Sequence, residues 1–217
     1  MTDEVKPRRR YVSRRRAEQA ERTRSDIVEA AGTLFREGGY GVPMTAIAAR
    51  AGVVVETVYR IFGSKAGLFI AVIEALLAGG VSRAATPVEE RPAIRAIREG
   101  PDPAKQVALY AATQPGIHRR AGPLLRALLD GKATDPELAQ LWDRLEAWRL
   151  EGQGRFVAML AQHEALGSGV TVESATDALF TLCSMAVYDS LVHQRGWTDD
   201  QYEAWLARAL SRELLGC

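Results

Sequence analysis

The sequence predicts an all-α protein, and three observations carry that prediction. Apolar residues return every three or four positions through most of the chain, which is the period of one helix face. No stretch alternates apolar and polar residues as a half-buried strand does, and there is no internal repeat. Glycines and prolines, such as Gly38–Gly39 and Gly79–Gly80, fall mainly between the periodic stretches, where helices end. Of 217 residues, 47% are hydrophobic and 25% charged, the balance of a folded globular chain, and the length allows either one large domain or a small one joined to a medium one. The expected boundaries are 1–22, 23–69 and 70–217.

Residues 1–22 are expected to form a flexible basic arm. Within it, KPRRRYVSRRR holds Lys6, Arg8, Arg9, Arg10, Arg14, Arg15 and Arg16 with no acid among them. Up to Lys65 the chain has 13 basic and 8 acidic residues, and the remainder has 15 and 19. The net charge of +1 therefore conceals a positive N-terminal part and a negative remainder. Such an arm suits a polyanion, but by itself it does not choose between nucleic acid and an anionic membrane surface.

From Thr23 to Glu37, Ile27, Ala30, Ala31, Leu34 and Phe35 lie on one helix face, with Arg24, Asp26, Glu29 and Arg36 opposite. Gly38 and Gly39 end this helix, and Tyr40 follows as a packing residue. Pro43 suits the first turn of the next. In MTAIAARAGVVVETVYRIFGSK, Ile47, Ala51, Val53, Val58 and Ile61 are apolar where two short crossing helices bury side chains. Ala48 falls at their closest approach, where a larger residue would hold them apart. Gly52 falls in the turn, where a positive φ is needed.

Read together, these positions resemble the TetR family of bacterial helix-turn-helix regulators. The resemblance rests on Phe35 with Gly39 and Tyr40; on Ile47, Ala48, Ala51, Gly52 and Val53; and on Thr57, Val58, Tyr59, Phe62 and Lys65 leading to Leu68. It covers about residues 24 to 70 and implies an N-terminal three-helix DNA-binding domain followed by a helical regulatory and dimerisation domain. Double-stranded DNA is then the expected partner. Thr45, Val55, Glu56, Thr57, Tyr59, Arg60 and Lys65 are the DNA-contact candidates. The Thr57 and Tyr59 hydroxyls suit phosphate oxygens, and Lys65 suits the backbone at the start of the following helix. Val54, Val55 and Glu56 depart from the polar residues usual at the start of a recognition helix. Valine suits a thymine methyl group, and glutamate a cytosine amino group. The basic arm could lie along the adjacent minor groove or serve only as an electrostatic tail.

Beyond Lys65, LFIAVIEALLAGG predicts a largely buried helix, and Thr86 to Pro103 a connector with a short helix near 92–98. Further helices are expected over 103–113, 117–129, 136–164, 172–193 and 199–215, with Asp135, Thr171 and Thr198 as N-caps. The last two carry broad apolar faces: Ala178, Leu179, Leu182, Met185, Ala186 and Leu191 on one, Trp205, Leu206, Leu210 and Leu214 on the other. In the family such a pair forms a four-helix homodimer interface, which sets two recognition helices one DNA turn apart. The resemblance also implies a pocket for a small, largely apolar effector. Its candidates are the aromatic and sulfur residues Tyr110, Trp142, Phe156, Met159, Phe180 and Tyr188, with Gln114 and His118 to orient the ligand.

Enzyme chemistry is not expected. His118, His163 and His193 stand without paired ligands at metal spacing, and the chain has no phosphate-cradling glycine loop or nucleophile elbow. No cofactor and no metal are anticipated. Cys183 and Cys217 read as two free thiols. No apolar run approaches bilayer length and the basic start lacks a signal-peptide core, so a cytoplasmic location is expected. Two functions stay open at this point. One is a repressor released by a small molecule; the other is a dimeric architectural or partner-recruiting DNA-binding protein without an effector.

Overall fold

A computed structural model describes residues 8–216, with side chains from Arg15 onward. Every regular element among them is helical: α1 (Arg8–Gly38), α2 (Met44–Arg50), α3 (Val55–Phe62), α4 (Lys65–Ala78), α5 (Val81–Ala84), α6 (Pro92–Arg98), α7 (Pro103–Gly131), α8 (Pro136–Gln162), α9 (Val172–Leu182), α10 (Met185–Tyr188) and α11 (Asp199–Leu210). The chain forms two compact units, Met1–Ala75 and Leu76–Cys217, dividing within α4.

In the first unit α1 begins at Arg8, so residues 8–22, expected as a flexible arm, instead continue the first amphipathic helix toward the N-terminus. The reason is local. Between Arg8 and Arg22 there is no glycine or proline, and Arg, Ala, Glu and Gln all favour helix. Residues 1–7, Lys6 among them, lie outside the described residues. The core is built from Ile27, Ala31 and Phe35 of α1, Ile47 and Ala48 of α2, Val58 of α3, and Leu68, Phe69 and Val72 of α4, all nearly inaccessible. Each large apolar side chain among them contributes about 1.5–3 kcal/mol by leaving water. Tyr40 closes one edge, stacked beside Phe35 at 6.2 Å and edge-on to Phe69 at 5.4 Å.

In the second unit α7 packs against α6, α8 and α11, and α9 packs against α8 and α11. Sequence had predicted a break in α7 near Thr113, yet the helix runs unbroken through Pro115 and Pro123. Each proline removes one intrahelical bond, while the buried face with Val107, Ala111, Pro115, Ala121, Leu124 and Leu128 holds the axis together. The helix predicted over 172–193 is interrupted instead. Ser184 is extended, with ψ 152°, and its hydroxyl accepts from the Val187 amide, starting α10 afresh. Residues 189–194 then follow as a π-helical segment, and a second such segment, 211–215, ends α11. Asp135, Thr171 and Thr198 each accept hydrogen bonds from amides of the first turn, as N-caps do.

Burial corrects the outward face expected of the last two helices. Leu179, Leu206, Leu210 and Leu214 are fully enclosed in the core of this unit and unavailable to a second molecule. Ala178, Leu182 and Trp205 remain partly exposed.

Candidate nucleic-acid interface and core polar cluster

The first site is the outer face of α2 and α3. At the turn between them Gly52 takes φ +68°, a conformation that costs an L side chain about 1–2 kcal/mol. Ala48 beneath it is 3% exposed, and its carbonyl accepts from the Val53 amide at 3.0 Å, which fixes the crossing. The far end of α3 is fixed as tightly. Gly63 ends the helix with φ +74°, and a Cβ on Gly67 would lie 2.2 Å from the Phe62 carbonyl oxygen. Helix α4 therefore rests directly on the last turn of α3. Arg24 of α1 lies over the Phe62 ring at 4.8 Å, a cation–π contact that clamps the same turn.

On this frame only Val58 of α3 is buried. Val54 is 65% exposed and Tyr59 47% exposed, and Glu56 and Arg60 are also exposed. Val55 and Thr57 are half-buried, and Thr45 is exposed near the start of α2. Except for Val54, which caps the start of α3, these candidates lie on two short helices packed against each other. Lys65, first residue of α4, is half-buried, with its ammonium 4.7 Å from the centre of the Tyr40 ring. Arg24 was not foreseen; its spacing from Phe62 gives no local signal, since the contact joins helices 38 residues apart.

The second site lies in the core of the other unit. His118 of α7 stacks on Tyr188 of α10 with ring centres 4.5 Å apart, and Tyr202 of α11 meets Tyr188 edge-on at 5.0 Å. Tyr110 stacks on Phe156 at 4.4 Å, with Met159 packed in the same core and Gln153 beside the Tyr110 hydroxyl. Burial, with the Arg149 and Arg126 charges, holds the His118 imidazole down at about 4, so it is neutral near pH 7. Burial likewise raises the hydroxyl pKa values of Tyr110 and Tyr202, and pushes the Cys183 thiol up to about 12 against the opposing pull of Arg149. Among the described residues, three enclosed polar atoms have no hydrogen-bond partner: His118 Nε2, Gln153 Oε1 and the Tyr202 hydroxyl.

Not every expected pocket residue joins this cluster. Tyr110, Phe156, Met159, His118 and Tyr188 do, and Gln114 is buried nearby on α7 with its amide donating to Thr113 Oγ1 at 2.9 Å. Trp142 instead packs under the Lys132 ammonium at 5.0 Å. Phe180 lies beneath the Arg149 guanidinium at 3.5 Å. Both are half-buried, and each ring already has a cation against its face. Gln153 and Tyr202 were missed, although a signal existed: Leu145, Gln153, Phe156 and Leu160 share one face of α8, and Tyr202, Leu206 and Leu210 one face of α11.

A crossing helix pair with a glycine turn and an exposed polar second helix is the frame of a helix-turn-helix DNA-binding domain. Residues 27–72 match the family model described as bacterial regulatory proteins, tetR family. This segment is similar to the DNA-binding domain of that family. Over most of its length the chain has a fold similar to that of solved TetR-family regulators. A putative TetR-family regulator from Rhodococcus sp. superposes with a TM-score of 0.66 at 15% identity, over 89% of this chain and 98% of that one. FadR from Bacillus subtilis, solved with stearoyl-CoA, gives 0.61 at 18% identity over 88% and 98%. NalD, the secondary repressor of the MexAB-OprM multidrug efflux pump in Pseudomonas aeruginosa, gives 0.61 at 23% over 90% and 97%. No curated protein matches the sequence. Among the described residues, no single helix is long and apolar enough to cross a membrane.

Proposed function

We propose that this protein represses transcription by binding a palindromic operator as a homodimer and releases it when a small ligand enters the second unit. The observation that carries the reading is the face of α3: apolar and polar side chains, Val54, Tyr59 and Arg60 among them, stand exposed on a helix anchored at both ends. Thr45, Val55, Glu56, Thr57, Tyr59, Arg60 and Lys65 make the contacts, hydroxyls and cations to phosphate and the start of α3 to base edges. A shallow groove lined by Asp177, Ala178, Thr181 and Leu182 of α9 with Ala209 and Glu213 is the face offered to a second copy. The buried ring cluster is the ligand site. A structural neighbour solved with stearoyl-CoA and another that is an efflux-pump repressor support both sensing and repression.

Selection of bound DNA from a random pool tests the proposal, with a two-fold symmetric consensus expected. Thr57→Ala together with Tyr59→Phe should weaken binding to the selected site about tenfold or more, in line with two lost phosphate contacts, and leave the thermal midpoint nearly unchanged. Undiminished affinity in a gel-shift titration at fixed salt would overturn the contact assignment.

A further inference from the structure

Among the described residues of the second unit, three polar atoms are enclosed without a partner: His118 Nε2, Gln153 Oε1 and the Tyr202 hydroxyl. Their residues are 6%, 4% and 0% exposed and belong to three different helices, α7, α8 and α11. Buried polar groups are nearly always paired, so three in the core of one unit, beside the ring groups Tyr110–Phe156 and His118–Tyr188–Tyr202, point to something that completes them. The arginines that face the cluster are already matched. Arg149 donates twice to Glu146, at 3.0 and 2.9 Å, and once to the Phe180 carbonyl. Arg126 pairs with Asp189 at 2.8 Å, and Arg119 with Asp199, which also accepts from the Tyr188 hydroxyl at 2.7 Å.

Two of the elements around the cluster have interrupted backbone ladders. His118 stands between Pro115 and Pro123, each of which leaves an α7 carbonyl without its helical amide. Tyr188 stands between the break at Ser184 and the π-helical segment 189–194, a departure common at functional sites. Movement of Tyr188 away from His118 would break its hydroxyl's 2.7 Å bond to Asp199 but would not unwind a long regular helix.

Resting on the sensing function proposed above, we infer that His118, Gln153 and Tyr202 form the polar end of the ligand site and select an uncharged aromatic ligand that both donates and accepts hydrogen bonds. Gln153 Oε1 only accepts, so it requires a donor, while Tyr202 and the neutral His118 supply either role. A flat ring in place of Tyr188 restores the stacking on His118. A carboxylate or phosphate would bring a charge into a site whose cations are committed and would meet an acceptor at Gln153.

Matched amides and acids of two sizes test this, benzamide and 1-naphthamide against benzoate and 1-naphthoate, with stearoyl-CoA as a further anion. The full chain is followed by thermal unfolding with each probe. At least one amide should raise the midpoint, and the acids and stearoyl-CoA should not. Gln153→Leu should abolish the amide shift; it also removes the partner of the buried Tyr110 hydroxyl, so the shift is read against that variant's own midpoint. His118→Phe provides a second variant and should also abolish it. A larger shift with an acid or stearoyl-CoA, no shift with either amide, or an amide shift that persists in both variants would overturn the inference. The selected operator in a gel shift separates the two claims. An anion that binds and releases DNA sinks the ligand class and leaves sensing intact, whereas an amide that binds without releasing DNA sinks sensing and leaves the site.

Discussion

At His118 the unfolded chain holds a proton below about pH 6.5, while the folded chain refuses it until about 4. Over that window the unfolded state binds more protons, so stability falls as pH falls. By the linkage relation the loss reaches about 2–3 kcal/mol at pH 4.5 and is absent above pH 7. His118→Gln should flatten this segment of the stability profile. Urea midpoints at pH 7.5 and 4.5 check it; an equal acid loss in both proteins would show that other groups are responsible. Gln153 is the same kind of residue, a polar side chain on an otherwise apolar face. Such a group is legible as an exception to a helical pattern, yet its neighbours on α7 and α11 are not, since they arrive only through tertiary packing.

The helix-turn-helix was readable because its constraints are local. Ala48, Gly52 and Val58 lie within eleven residues, and each answers to one steric demand of a crossing that the structure displays. Gly67 extends the argument to the next element. Gly67→Ala would drive a methyl into the Phe62 carbonyl, so α4 must shift off α3; a loss of about 1–3 kcal/mol in stability and weakened operator binding are expected. Normal values for both in urea unfolding and gel shift would contradict that packing. The long helices were less legible. The apolar pattern runs straight through Cys183 and Ser184, so nothing in its period marks the break that the Ser184 hydroxyl stabilises. Pro115 was a misleading signal in the other direction, because burial outweighs one absent bond. Pro123 is exposed, and Pro123→Ala should restore an α7 hydrogen bond at no cost in packing, raising stability by about 1 kcal/mol or more in the same urea assay.

For the molecule as a whole, composition gave the charge asymmetry but not which faces a partner would see. The leucines that suggested an interface fill the core, and only the rim of α9 and α11 faces outward. If that rim meets a second copy, Ala178→Arg should yield a folded monomer in sedimentation and lose affinity for a two-half-site operator far more than for a single half-site. A dimer that persists would place the interface elsewhere. Acidic residues outnumber basic ones beyond Lys65, so raising salt should act on DNA binding through the first unit alone.

The buried thiol offers a clock for these motions. Cys183 is 3% exposed, and burial keeps it protonated near neutral pH, which shields it from alkylating reagents while its surroundings stay closed. It is also the residue immediately before the helix break. In a Cys217→Ser background, the rate at which iodoacetamide labels Cys183 would count openings of that break one molecule at a time, and a bound ligand that holds it shut would slow the count.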